Sequence, residues 1–327
     1  MKNKVFLSIC IPTYNMGIYL TDLIKSVNNQ LDGINKNIEI CISDNASTDN
    51  TEAVVTSLQE KYTNITYKKN KQNIGADNNF LNVVDMASGE YCWFMGADDI
   101  ISESILSEII ETIKQKPNVD IFLGDRKNSS AEGISLNEEY WHPKKSLITK
   151  NNLSKYIEDS YKIGAIFAFI SSIIFKKVSW DKSKKQIDIE KFIGTAYIHS
   201  VILLNIFKNN GSLLYLHKVI VVATRDNDSF LNKGYLNRIK IDYNYLPIFE
   251  YLYGLKSEEY KMMKALLKKE RTLAHFLKAK ASEKDSKEVV NFMKKHKLNN
   301  IYLVRLFPTF FIKLLIIFHK FINFRRY

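Results

Sequence analysis

The first 125 residues carry a rhythm that leaves little choice of fold. Short, β-branched apolar runs alternate with segments of helical spacing, and polar residues follow each apolar run. Val5 to Ile11, Ile38 to Ile42, Ile65 to Tyr67, Tyr91 to Met95 and Val119 to Leu123 read as strands. Between them, Gly17 to Gln30, a segment through Val54, Val55 and Leu58, Phe80 to Met86 and Ser102 to Lys116 read as helices. Ser47-Thr48-Asp49 supplies capping side chains for the second helix. This βαβα order predicts an α/β fold, a mostly parallel sheet covered by helices.

The rhythm then loosens. Residues 126–163 are polar and irregular and predict a long loop near a site. Ala165 to Phe175 reads as a strand, Ile189 to Phe207 as a helix and Leu213 to Ala223 as a strand. From Tyr235 onward the chain is helical and Lys-rich. The expected organisation is a body over 1–234, with halves 1–125 and 126–234, and a helical basic extension over 235–327.

Charge follows that division. Residues 256–327 hold 18 Lys/Arg against 6 Asp/Glu, an excess equal to the whole chain's net +12. A neutral body with a basic tail predicts an anionic partner for the tail alone. After Pro308 comes TFFIKLLIIFHKFINFRRY. On a helical wheel, Thr309, Lys313, His319, Lys320 and Asn323 share about a third of the circumference, against Phe, Leu and Ile. That pattern predicts a helix lying in a membrane interface. Aromatics set among aliphatics, rather than among Lys and Arg, argue against a nucleic-acid partner. Three Cys and no CxxC argue against a disulfide framework or zinc module. The apolar run at the start is short and broken by Pro12, unlike a secretory signal. The expected location is cytoplasmic, peripheral on the inner face of the membrane.

In an open parallel sheet, ligands bind beyond the carboxyl ends of the strands. Pro12, Thr13 and Tyr14 follow the first strand, Asp44 and Asn45 the second, and Gly96-Ala97-Asp98-Asp99 the fourth. Adjacent carboxylates repel, so the tandem pair costs stability unless a cation or hydrogen-bond donors compensate. Divalent ions that bridge to phosphate use one or two such carboxylates. The plainer reading of Asp98-Asp99 is a cap for the following helix.

The runs SICIPTYN, EICISDNASTDNT, NIG and GEYCWFMGADD, in that order, resemble the family 2 glycosyltransferases with a nucleotide-diphospho-sugar-binding (GT-A) fold. The resemblance covers roughly residues 5–125. Length, the GADD variant and the tail resemble bacterial O-antigen sugar transferases of the abequosyltransferase type. The resemblance implies that Pro12, Thr13 and Tyr14 line the nucleotide and that Asp44 hydrogen-bonds its base. Asn45 stands where many relatives carry a second Asp. Asn73 and Gly75 match a turn that shapes the pocket. Asp98 is implied toward ribose or metal, and Asp99 toward a Mg²⁺ or Mn²⁺ on the diphosphate, with Gly96 in place of the motif's first Asp. Implied partners are a nucleotide-sugar donor, a dideoxyhexose among the sugars considered, and a lipid-linked oligosaccharide acceptor in surface polysaccharide synthesis. Relatives supply the general base as an acidic residue early in the second half. Here His199 in GTAYIHSVILL is the candidate by position, with Asp181 and Asp188 as alternatives. Arg225, in TRDND, resembles a segment that closes on the donor diphosphate; the alternative is pairing with Asp226 or Asp228. Trp141 and His142 read either as a surface on which a sugar stacks or as a local apolar anchor. A nucleotide-sugar-binding scaffold without catalysis is the rival function.

Overall fold

The computed structural model describes residues 4–34, 37–130, 134–224, 234–282, 286–299 and 301–312. In chain order the elements are β1 (Leu7–Thr13), α1 (Gly17–Asn28), β2 (Ile38–Asp44), α2 (Thr51–Lys61), β3 (Ile65–Lys69), α3 (Ala76–Met86), β4 (Tyr91–Phe94), β5 (Asp99–Ile101), α4 (Ile105–Gln115), β6 (Ile121–Ser129), β7 (Ser135–Glu139), β8 (Ser146–Thr149), α5 (Leu153–Asp159), β9 (Ile173–Lys176), α6 (Lys177–Lys184), α7 (Ile198–Lys208) and β10 (Ser212–Thr224). Six helices follow: α8 (Tyr235–Asp242), α9 (Tyr245–Tyr253), α10 (Glu258–Glu270), α11 (Leu273–Ser282), α12 (Ser286–Lys295) and α13 (Ile301–Leu306).

The strands form one ten-stranded sheet in the order β3-β2-β1-β4-β9-β6-β10-β5, with β7 beside β6 and β8 beside β10. β3, β2, β1 and β4 run parallel, as do β6 and β10. β9 lies antiparallel between β4 and β6. In β1 and β2 every residue but Pro12 and Glu39 is buried, because helices cover both faces of the sheet. Thr13 pairs in register with Asp44, so the polar residues after β1 and β2 emerge side by side.

Two apolar clusters hold the layers. One joins Leu20, Leu23, Ile24 and Val27 of α1 and the Ile-rich face of α4 to the strands. The other joins Phe94, Phe175 and Trp180 to α7 and onward to Ile248, Phe249, Leu267, Phe276 and Val304. Burial of each such side chain is worth roughly 1.5–3 kcal/mol. The described helices from Tyr235 onward thus share a core with the sheet.

At the seam, Asp242 is fully buried. It accepts hydrogen bonds from Tyr197 at 2.8 Å, from Arg238, and from Arg271 Nε at 2.5 Å.

Three sequence expectations are corrected. The segment 126–163 is not an irregular loop: β6 runs on to Ser129, and β7, β8 and α5 follow. β7 looked like loop because its residues up to Glu138 are exposed. Ala165 to Phe175 is not one strand. Two short 3-10 turns occupy Ile163–Ile166 and Ile170–Ser172, and Phe167 sits at φ 78°, so only Ile173 onward pairs. The helix expected from Ile189 begins at Ile198, because Gly194 (φ 90°) and Ala196 (φ 65°) break the chain direction. Among the described residues, no helix is long and apolar enough to cross a membrane.

Candidate active site

The loops after β1 and β2 are laced together by side chains. Asp44 Oδ1 accepts from the Ser47 amide (2.8 Å) and hydroxyl (2.5 Å), while Oδ2 accepts from the Tyr67 hydroxyl at 2.6 Å. Ser47 Oγ accepts from the Asn15 amide, and Asn15 Oδ1 from the Thr48 amide, each at 2.8 Å. Asp49 holds two helix starts at once, accepting from Thr51 N at 3.0 Å and Gly17 N at 3.1 Å. Glycine suits position 17, since a Cβ would lie 2.9 Å from the Thr51 backbone nitrogen.

A cavity of about 610 Å³ opens beyond these loops. Its first wall carries Thr13, Asn45, Asn73 and Asn79. Asn45 and Asn73 hold each other at 2.9 Å, and Asn73 also accepts from Gly75 N at 2.9 Å. Gly75 takes φ 83°, which favours glycine. Asn79 braces both strands, accepting from Ser43 Oγ at 2.7 Å and donating to the Ser43 carbonyl at 2.9 Å. The Thr13 hydroxyl is buried and has no partner among the described residues.

The floor is the tandem pair. Asp98 and Asp99 both line the cavity. Asp99 is 5% exposed and accepts from Ser171 Oγ. Ser171 Oγ in turn accepts from Gly96 N at 2.8 Å, and the Ser171 carbonyl from Trp93 Nε1 at 2.8 Å. Burial and the neighbouring Asp98 charge push the Asp99 carboxyl up to about 8. A Cβ at Gly96 would stand 2.9 Å from Asp99 Oδ2, so any larger residue there disturbs the acid.

The far wall comes from the second half of the chain. Glu139 of β7 accepts from Arg126 Nε at 2.7 Å and also from Lys162. Burial raises its carboxyl, but the Arg126 and Lys162 charges outweigh that and hold it below the usual range. The Arg126 guanidinium lies 4.7 Å over the Phe169 ring and 5.4 Å over Trp141. Glu270 accepts from Ile163 N at 2.7 Å, and burial raises its carboxyl. His199 is also at the wall, with Nε2 2.9 Å from the Phe167 carbonyl and Nδ1 buried without a partner among the described residues. Burial depresses its imidazole to about 4, so it stays neutral at neutral pH. Asp77 shapes the loop before α7, its carboxylate accepting from Gly194, Ala196 and Ile198 amides at 2.7–3.1 Å.

Residues 8–176 match the profile of glycosyl transferase family 2. The abequosyltransferase RfbV of Salmonella typhimurium is 38% identical over 277 residues, which span 82% of this chain and 81% of that one. The chain belongs to glycosyl transferase family 2. A Campylobacter jejuni GalNAc(5)-diNAcBac-PP-undecaprenol beta-1,3-glucosyltransferase is 38% identical over 113 residues, 34% of each chain. In fold, the transferase resembles Staphylococcus aureus TarS in complex with UDP-GlcNAc: TM-score 0.63, 17% identity, 89% of this chain and 80% of that one. It also resembles the mannosyltransferase PcManGT of Pyrobaculum calidifontis, in complex with GDP-Man and Mn²⁺, with TM-score 0.53, 14% identity and coverage of 95% and 86%. The expected GT-A architecture is therefore present.

The transferase gathers Pro12, Thr13, Tyr14, Asn45, Asn73, Asp98, Asp99 and His199 around one cavity. Asp44 stands behind the wall rather than in it, fully buried with both oxygens taken by protein donors. Asp181 and Asp188 are off the cavity, paired on the surface with Lys177 and Lys191. The chain's Glu158-Asp159 pair is likewise at the surface, on Lys155. Trp141 and His142 are 2% and 3% exposed. They anchor the wall and offer no face for stacking. Arg225 lies outside the described residues. Sequence reasoning missed Arg126, Asn128, Glu139, Lys162, Ser171 and Glu270. β6 supplies Arg126 and Asn128 because it runs six residues past the apolar run that signalled it.

Proposed function

We propose that this glycosyltransferase moves a sugar from a nucleoside-diphosphate donor to a hydroxyl of a lipid-linked oligosaccharide in surface polysaccharide assembly. The observation that carries the donor assignment is the joint placement of an unpartnered Thr13 hydroxyl, the Asn45–Asn73 pair and the Asp98-Asp99 carboxylates around one cavity. The lipid-linked acceptor follows the name of the Campylobacter jejuni relative, which carries PP-undecaprenol.

In the reaction the bond between the sugar's anomeric carbon and the diphosphate oxygen breaks. A bond from that carbon to the acceptor oxygen forms, the nucleoside diphosphate leaves, and the hydroxyl proton is taken up by a base. The donor set at Asp98-Asp99 fits a divalent cation: a buried carboxyl pushed up by its neighbour loses that penalty when a cation joins it. Asp98 and Asp99 would hold Mg²⁺ or Mn²⁺, which supplies charge neutralisation on the diphosphate. Ser171 keeps Asp99 turned toward the cavity. His199 is the proton acceptor we assign. With Nε2–H donated to Phe167, Nδ1 keeps its lone pair for the acceptor hydroxyl. Its depressed basicity costs driving force but keeps the imidazole unprotonated. Asp44 supports the base-binding loop through Ser47.

We assign the protein to the inner membrane surface. Tyr302, Leu306, Phe310 and Phe311 are each more than half exposed, beside Arg305. Lys313, Lys320, Arg325 and Arg326 continue the pattern outside the described residues. Each cation near an anionic leaflet contributes about 1 kcal/mol.

The test is a thermal-shift screen of UDP-, GDP-, CDP- and dTDP-sugars with and without Mn²⁺. The nucleotide that raises the melting temperature is then assayed for diphosphate release with acceptor present. Stabilisation without release would leave a binding scaffold in place of an enzyme.

A further inference from the structure

The cavity is larger than its donor edge. Its second wing, across from Asn45 and Asn73, is built by β6, β7 and the turn that carries Phe169. The wing reaches the tandem acids, since the Arg126 charge acts on Asp99. It also holds a buried acceptor without a partner. Asn128 is 1% exposed, its Nδ2 donates to the Asn137 carbonyl at 3.3 Å, and its Oδ1 receives nothing among the described residues. An orphaned buried oxygen is costly, and a ligand hydroxyl recovers that cost.

The charges of the wing are spoken for. Glu139 takes Arg126 on one oxygen and Lys162 on the other. Arg126 spends its fork on that carboxylate and a face of its guanidinium on Phe169. A guanidinium so engaged has its Nε–Nη2 edge and its charge committed to Glu139, and keeps only its Nη1 end for an incoming group. Arg238, further along the cavity, is held by Asp242. An anionic ring would moreover meet Glu139 and Glu270. An uncharged ring meets residual N–H donors, the Asn128 oxygen and the partly exposed Phe169 ring.

We propose that this wing, framed by Arg126, Asn128, Glu139, Lys162 and Phe169, is the acceptor subsite and that it selects an uncharged hexopyranose over a uronate or phosphorylated sugar. The assignment rests on the transferase reading above and adds the chemical class of its acceptor.

The experiment uses the full chain with UDP or CDP present, whichever stabilises it. Binding of 4-nitrophenyl hexopyranosides (manno, galacto and gluco) and of 4-nitrophenyl glucuronide is followed by calorimetry. At least one neutral hexoside should bind about tenfold or more tighter than the glucuronide. Glu139→Gln frees Arg126 and Lys162, so it should weaken the hexoside and strengthen the glucuronide, with nucleotide affinity kept within about twofold. That reversal is not produced by loosened packing. If Glu139→Gln also loses the nucleotide, Phe169→Ala, at a partly exposed site, takes its place and should weaken every hexoside while sparing the nucleotide. The proposal is overturned if the glucuronide binds as well as the hexosides, if no hexoside binds at millimolar concentration, or if hexosides compete with the nucleotide. Should hexosides bind with the stated preference and no nucleotide bind at all, the subsite stands and the donor reading fails.

Discussion

Replacing Asp242 with Ala should cost this protein a large part of its stability and disturb the cavity from behind. Asp242 is fully buried, and the two guanidiniums that it holds are mostly covered, with side-chain exposures of 20% for Arg238 and 13% for Arg271. Removing one partner of a buried pair leaves uncompensated charge, at a cost of about 3–5 kcal/mol. The Tyr197 hydroxyl loses its acceptor in the same step. At about 2.1 cal/mol/K per residue, a chain of 327 residues unfolds with an entropy of about 0.7 kcal/mol/K, so the melting temperature should fall by about 4–7 °C. Differential scanning fluorimetry at neutral pH measures this. Asp242→Asn, which keeps an acceptor but not the charge, should fall between wild type and Ala. Moderate salt should not mimic the change, since buried pairs are screened little. Because Tyr197 and Arg238 line the cavity, the KM for acceptor should rise in both variants. A melting temperature within about 1 °C of wild type for Asp242→Ala would refute the reasoning that this clamp ties α8 and the end of α10 to the start of α7.

Asp99→Ala should abolish turnover in a protein that still melts cooperatively, and activity of that variant in EDTA would remove the cation from the reaction. His199→Ala should lower kcat by about two to four orders of magnitude, and a loss below about threefold would assign the proton to another group. Burial depresses His199 from 6.5 to about 4, so its neutral form stabilises the fold fully above pH 6.5, and that contribution is lost as pH falls toward 4. His199→Gln should therefore flatten the acid-side fall of the melting temperature by up to about 3 kcal/mol equivalent, whereas parallel curves would contradict the burial. Gly164→Ala places a Cβ 2.4 Å from Trp141 Cε3 and should destabilise by about 1–3 kcal/mol. An unchanged melt would show that the Trp141 wall can give way.

The loop edge of the cavity was legible because everything it needs is local. β1, β2 and β4 announce themselves by apolar runs, and parallel pairing delivers their trailing residues to one edge. Thr13, Asn45 and Asp98-Asp99 could be named on that basis, and Asn73 from the family resemblance. Asp44 was placed at the right turn, but nothing in the sequence says that Ser47 and Tyr67 hydrogen-bond its oxygens. The far wall was not legible. Asp77 acts on amides about 120 residues away, and Ser171 on an acid 72 residues away. Neither leaves a periodic trace. The apolar run from Ala165 had the length and composition of a strand, and only tertiary packing against Trp141 and Asp99 turns it into two tight turns. His199 was named by position, yet its depressed basicity, and an Nδ1 without a partner among the described residues, come from burial that spacing does not report.

The loop before α7 follows its path because one carboxylate, Asp77, grips three of its amides. Backbone grips are indifferent to side-chain identity. Where the backbone angles allow, Ala196, which faces the cavity, can be exchanged without redrawing the loop, whereas Tyr197 stays tied to Asp242. This position is therefore a cassette: a place where natural drift or a saturation library can change what the enzyme accepts while the scaffold stays put. Asp77 itself, though it touches no substrate, is the residue such a library must leave alone.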